Sequence, residues 1–175
     1  MYRHILVALD HSALSRAVLQ QAIALAKPLN AQLTLLHVLS SSEVMSPNMP
    51  LIPVPEYYPP LSATTLELYQ EEWQAFEARS SAMLESYRAQ AEAAGLIAHS
   101  LQSAGSPGTV ICNIAKSVKA DLIMVGRRGH SGLSELIIGS VSNYVVHHAP
   151  CTVLVCNPDA SIPSASKASQ VQSAA

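Results

Sequence analysis

The chain has 175 residues, of which 49% are apolar and 13% charged, with a formal net charge of −2. That length and apolar share suit one domain with its own core, and so sparse and balanced a charge argues against nucleic acid or an acidic membrane surface as partner. No apolar run approaches the roughly 20 residues of a membrane span, and Met1-Tyr2-Arg3-His4-Ile5 passes directly into a strand pattern where a signal peptide would continue its apolar run, so the expectation is a soluble, cytoplasmic protein.

Ile5-Leu6-Val7-Ala8-Leu9 is apolar without alternation, as in a strand buried on both faces of a parallel sheet. It ends at Asp10-His11-Ser12, where Asp10 or Ser12 is expected to cap a helix. Leu14, Ala17, Val18, Ala22, Leu25 and Leu29 then recur at three- and four-residue spacing, and Pro28-Leu29-Asn30 is expected to break that helix. Leu33 to Leu39 is a second strand, which makes residues 3 to 39 a right-handed βαβ unit.

From Ser40 to Ser62 the composition shifts to Pro, Ser, Asn and Met, an insertion that leaves from the strand end where α/β proteins bind ligands. It either covers a pocket or is disordered. A long helix is expected from about Ala63 to Ala94, with Leu66, Tyr69, Trp73, Phe76, Met83, Leu84, Tyr87 and Ala91 on one face and Gly95 as its C-cap. Ile97 to Gln102 alternates like an edge strand, Ser106-Pro107 opens a third helix, and Leu122-Ile123-Met124-Val125 is a fourth strand. A final helix runs to about Ala149 and is followed by the strand Thr152 to Cys156. The Ser- and Ala-rich tail from 157 to 175 is expected to be disordered, leaving one domain over residues 1–156.

Cys112, Cys151 and Cys156 are odd in number and without a close pair, which argues against a disulfide framework. Cys151 and Cys156 are five apart in a strand-like run and so face opposite sides and cannot share a metal without a bulge; all three read as small buried hydrophobes.

Five strands alternating with four helices predict an α/β fold, a doubly wound five-stranded parallel sheet of order 3-2-1-4-5 with helices on both faces. That order puts the first and fourth strands side by side at the topological switch point, so Asp10 and Gly126 converge on one cleft. The fourth strand leads into Gly126-Arg127-Arg128-Gly129-His130-Ser131-Gly132, and Leu133 to Ser140 has a helical pattern. The spacing Gly126-x2-Gly129-x9-Gly139-Ser140 is neither the dinucleotide fingerprint nor a Walker P-loop. It offers two stations for a polyphosphate: Gly126 and Gly129 admit close approach of the turn, and Gly139-Ser140 opens a helix whose N–H groups attract an anion. Arg127 and Arg128 are possible phosphate partners, and Ser140 and Ser142 possible modification sites.

The glycine motif, the Ile-Leu-Val-Ala-Leu-Asp start, the His-Val end of the second strand and the Ala-Pro-Cys-Thr-Val-Leu-Val finish together resemble the ATP-binding branch of the universal stress protein family. The resemblance implies a Rossmann-like fold of the adenine nucleotide alpha hydrolase-like type and ATP, with Mg²⁺, as ligand. It implies that Ala8, Leu9 and Asp10 line the adenine and ribose, that Val38 reads the adenine edge through its backbone, that Val125, Gly126 and Gly129 follow the ribose and phosphates, and that Gly139, Ser140 and Val141 hold the phosphate end. It also implies an antiparallel homodimer through residues 152–156, an uncharged edge without a guarding proline. No dedicated base and no lysine stand near the motif, so no catalytic residue and no metal ligand are assigned. A nucleotide-dependent regulatory module is preferred over a slow ATP hydrolase or a nucleotide-independent dimeric scaffold, and a protein partner is left open.

Overall fold

The computed structural model describes residues 2–43, 45–47, 63–127 and 138–157. Five parallel strands, β1 (His4–Ala8), β2 (Gln32–Leu39), β3 (Ala98–Ala104), β4 (Leu122–Gly126) and β5 (Thr152–Cys156), form one sheet in the order β3-β2-β1-β4-β5. Four helices connect them: α1 (Ala13–Leu29), α2 (Ala63–Ala93), α3 (Pro107–Ser117) and α4 (Ser140–His148). The predicted doubly wound architecture and strand order are those observed.

Strand alternation sorts the core into two layers. Ile5, Val7, Leu33, Leu35 and Met124 face one side, where Val18, Leu19 and Ala22 of α1 and Leu84 and Ala91 of α2 cover them. Leu6, Leu36, Ile123 and Val125 face the other, against Ile111 and Ala115 of α3 and Val145 of α4. Because β1, β2 and β4 are covered on both faces, their near-continuous apolar runs need no polar alternate positions. β3 and β5 lie at the edges, and β3 accordingly carries half-buried polar residues.

Several local expectations are adjusted. α1 continues through Pro28 and stops at Asn30, which adopts a left-handed conformation (φ 50°, ψ 39°) with its N–H on the Ala26 and Lys27 carbonyls. Pro28 removes only one donor in the last turn, so the left-handed residue, not the proline, ends the helix. Ser12 and Ser106 occupy the N-cap positions of α1 and α3, yet neither side chain makes a capping bond. In α2 the expected stripe is buried at Phe76, Leu84 and Ala91 and half-buried at Tyr69, Trp73, Met83 and Tyr87, whereas Leu66 is 45% exposed. Gly95, at φ +86°, closes the end of α2 as expected. Gly108 marks where α3 and α4 press together, since a Cβ there would lie 2.6 Å from the Tyr144 ring.

The three cysteines are free. Cys156 is buried on the α1 face and Cys151 packs toward the α3 face, on opposite sides as the spacing required. Burial raises the Cys156 thiol to about 11, which keeps it protonated and inert. The tail beyond residue 157, the greater part of the proline-rich insertion and the Leu133 to Ile137 portion of the expected helix lie outside the described residues. No described helix is long and apolar enough to cross a membrane.

Candidate functional site

β1 stops at Ala8 and β4 at Gly126, and their flanking helices depart to opposite faces of the sheet, so a crevice opens above the carboxyl ends of the strands. It holds a cleft of about 380 Å³, within the range of roughly 300–1,000 Å³ usual for small-molecule sites. Ala8, Leu9 and Asp10 come to it from the end of β1, Val38 from β2, Val125 and Gly126 from β4, and Gly139, Ser140 and Val141 from the start of α4. All sequence-designated positions except Gly129 thus share one cavity; Gly129, like Arg128 and His130, lies outside the described residues.

Each wall has a local cause. Asp10 Oδ1 accepts hydrogen bonds from the Ser12 amide (3.0 Å), the Ser12 hydroxyl (2.5 Å) and the Ser15 hydroxyl (2.7 Å), and the Asp10 amide donates to Ser15 Oγ (2.8 Å). This Asx turn starts α1 in place of an N-cap side chain. The carboxylate of Asp10 therefore has a structural task and a place on the cleft wall at the same time.

Val38 is positioned by strand alternation. The Leu9 amide donates to the Leu36 carbonyl (2.9 Å), which shows that Leu36 turns its backbone groups toward β1. Val38, two residues on, turns its own the same way. β1 has ended by then, so those groups face the cleft.

The turn after β4 closes through main-chain bonds. The Gly139 amide donates to the Arg127 carbonyl (2.8 Å) and the Arg127 amide donates to the Cys156 carbonyl (2.8 Å). Ser142, buried in the first turn of α4, donates its hydroxyl to the carbonyls of Gly126 (3.0 Å) and Arg127 (3.1 Å). The end of β4 and the start of α4 are therefore in direct contact, with Ser142 as the pin. Its burial and its two acceptors exclude Ser142 as a modification site. The first turn of α4 carries no acidic residue, so its amides present the positive end of the helix to the cleft.

Beside the cleft lies a cluster that the sequence spacing concealed. His11 follows Asp10, His37 sits on β2 and Glu43 follows β2, and their ligating atoms all lie within 4.8 Å of one another. Glu43 also lines the cleft. Its carboxylate is 3.1 Å from His37 Nε2 and accepts the His11 amide at 3.1 Å. Burial pushes Glu43 up, but the hydrogen bonds from His37 and His11 and the nearness of both imidazoles outweigh it and hold the carboxyl below its ordinary range. Burial drives the His11 imidazole down against the pull of Glu43 and Asp10, with His37 and Arg79 reinforcing the fall.

Comparison with known proteins settles the family. The universal stress protein family profile matches residues 1–157. The chain belongs to the universal stress protein family. Universal stress protein Sll1388 of Synechocystis is 36% identical over 154 residues, covering 88% of this chain and 97% of that protein. Among solved structures, a universal stress protein in complex with cAMP aligns with a TM-score of 0.61 at 23% identity, over 90% of this chain and 98% of the other. A universal stress protein family member from Arabidopsis thaliana with AMP bound gives a TM-score of 0.61 at 20% identity, over 90% and 93%. At these identities the two structures establish the shared Rossmann-like fold.

Proposed function

We infer that the cleft holds an adenine nucleotide, ATP accompanied by Mg²⁺, and that this universal stress protein acts in the cytoplasm as a nucleotide-dependent regulatory module of a stress response. One observation carries the reading: the carboxyl ends of β1, β2 and β4 and the amino end of α4 converge on one cavity at the switch point of the sheet. The nucleotides bound by the two solved relatives support the ligand class, and the free thiols suit a reducing compartment.

The residues fit the ligand in kind. Backbone groups of Val38 offer donor and acceptor positions for the adenine edge, with Ala8, Leu9 and Val125 as apolar wall. Asp10 is the acceptor for ribose hydroxyls. Gly126 and Gly129 admit the phosphates to the turn, and the amides of Ser140 and Val141 with the Ser140 hydroxyl, opened by Gly139, take the terminal charge. Bound ATP would bring negative charge to the start of α4, where the chain supplies position and a polar stop, and Mg²⁺ would accompany the phosphates.

Holding is favoured over turnover. Among the described residues lining the cleft there is no Lys, Arg or His, and the two carboxylates, Asp10 and Glu43, are already engaged by neighbouring donors. Hydrolysis requires charge neutralisation and an oriented water at the leaving phosphate. Turnover at or above about 1 per second, the low end of ordinary enzyme rates, and its loss in Asp10→Ala would establish the hydrolase instead.

A second reading has its own observation. β5 is an edge strand with Thr152 and Leu154 outward and Leu154 40% exposed, the pattern that pairing with a second copy would close. A homodimer through residues 152–156 is part of the proposal, and a scaffold working only through that dimer is the competitor. Mass spectrometry of the denatured protein, purified without added nucleotide, separates the two: adenine nucleotide is expected, and its absence together with no retention of ATP in dialysis favours the scaffold.

A further inference from the structure

β2 presents Val38 to the cleft and His37 to the opposite face, so a second chemical centre lies one residue away from the nucleotide wall. His37 is fully buried, and Phe76 and the His11 ring stand at its sides, with ring centroids 6.1 and 5.2 Å away. Glu43 meets it from the segment after β2.

We propose that His11, His37 and Glu43 form a binding site for one borderline divalent transition-metal cation, of which Zn²⁺ is the representative. The ligating atoms lie within 4.8 Å of one another. Two ligands on a tetrahedral Zn²⁺, at bond lengths near 2.0–2.1 Å, stand about 3.3 Å apart. His37 Nε2 and Glu43 Oε2 already meet that separation at 3.1 Å, so only the His11 ring has to move in, and it projects from a loop.

The hydrogen bonds prepare His11 for this role. The Ser80 hydroxyl donates to the Phe76 carbonyl (2.8 Å), so its oxygen accepts from His11 Nε2 (2.8 Å). The proton of the neutral ring is thereby held on Nε2 and the lone pair is left on Nδ1. A ligating imidazole in metal proteins has this form, one nitrogen donating to a fixed acceptor while the other faces the ion. Ser80 itself is wholly buried, so the acceptor does not wander.

His37 is fully buried and turns Nε2 to Glu43; its Nδ1, the ring nitrogen on the other side, is buried without a hydrogen-bond partner and is not reached by an ion held at Nε2. Two imidazoles with one carboxylate select Zn²⁺ and its transition-metal neighbours over Mg²⁺ or Ca²⁺, which prefer oxygen ligands throughout. Three protein ligands leave one coordination position for water. Because Glu43 lines the cleft as well, the ion would tie the segment after β2 to the end of β1. The site stands independently of the nucleotide reading and is tested without nucleotide.

The full chain, stripped with a chelator and dialysed against ZnCl₂, is expected to retain one Zn²⁺ per chain by elemental analysis. Co²⁺ in its place should give the intense visible absorption of a four-coordinate site. Glu43→Gln and His11→Ala are each expected to weaken Zn²⁺ binding at least about tenfold with an unchanged circular dichroism spectrum, and His148→Ala, at the exposed His147-His148 pair, to leave it intact. Absence of stoichiometric Zn²⁺ in the wild type, full binding in both Glu43→Gln and His11→Ala, or loss of binding in His148→Ala would overturn the site.

Discussion

Asp10 and Asp121 show how one carboxylate at a strand boundary fixes two pieces of chain. Asp121 Oδ2 accepts the amides of Arg3 (2.7 Å) and His4 (2.9 Å), and its own amide donates to the His4 carbonyl (2.8 Å), locking the entry of β4 to that of β1. The two backbone N–H bonds, Arg3 first, hold its carboxyl below the ordinary value of 3.8. A group depressed on folding stabilises above its unfolded pKa, and that contribution is lost as pH falls through the folded value. Asp121→Asn should therefore lower the midpoint of thermal unfolding at neutral pH. The gap from wild type should narrow steadily in acid below the ordinary carboxylate value, as followed by circular dichroism; a gap independent of pH would show that charge is not what Asp121 contributes. Asp10 was legible as a candidate helix cap at a strand end, but its three donors from Ser12 and Ser15 were not, because the alternative of a capping serine has the same local sequence.

At the scale of elements, the site depends on how α4 is held against the end of β4. Ser142 makes that connection by donating to the Gly126 and Arg127 carbonyls. Ser142→Ala removes a buried donor from two acceptors, so it should cost about 1–3 kcal/mol in denaturant unfolding. It should also weaken ATP binding about tenfold, or ~1.4 kcal/mol, by freeing the phosphate station; unchanged affinity in equilibrium dialysis would mean that α4 is positioned by other contacts. The glycine and serine spacing pointed to Gly126 and Gly139-Ser140, which share one cleft, because closely spaced glycines at a strand end leave few alternatives. The pin itself escaped notice, since a serine in a helical first turn looks the same whether it faces water or a carbonyl. The His11, His37 and Glu43 cluster was hidden for a related reason. Its members come from three segments, and only the pairing of β1 with β2 at Ala8 and Leu36 brings the segments together. At the other end of α4, His148 Nδ1 bonds the Tyr144 carbonyl (2.8 Å) and its ring stacks on Tyr144 at 4.1 Å, the dipole-complementing position expected of a histidine in a last turn.

For the whole molecule, the strand order was readable because unalternating apolar runs admit only a sheet covered on both faces, and β3 identified itself as an edge by its polar residues. β5 is the other edge, and its exposed Leu154 makes the dimer proposal testable. Leu154→Lys places a charge on the pairing edge. In sedimentation equilibrium the wild type should sediment as a dimer and the variant as a monomer with an unchanged circular dichroism spectrum; a variant that remains dimeric would move the interface elsewhere. On the proposed reading, holding and regulating are joined in one domain, since the cleft lies at the centre of the sheet and the exposed edge one strand beyond β4.

The glycine turn and the start of α4 are proposed to form the phosphate end of an ATP site. The test is equilibrium dialysis of ATP and Mg²⁺ against the full chain and against Gly126→Val and Gly139→Val. One ATP per chain is expected for the wild type, with at least about tenfold weaker binding, ~1.4 kcal/mol, in both variants while the fold and association state are retained. Wild-type affinity in both folded variants, or no ATP bound by the wild type, would contradict it.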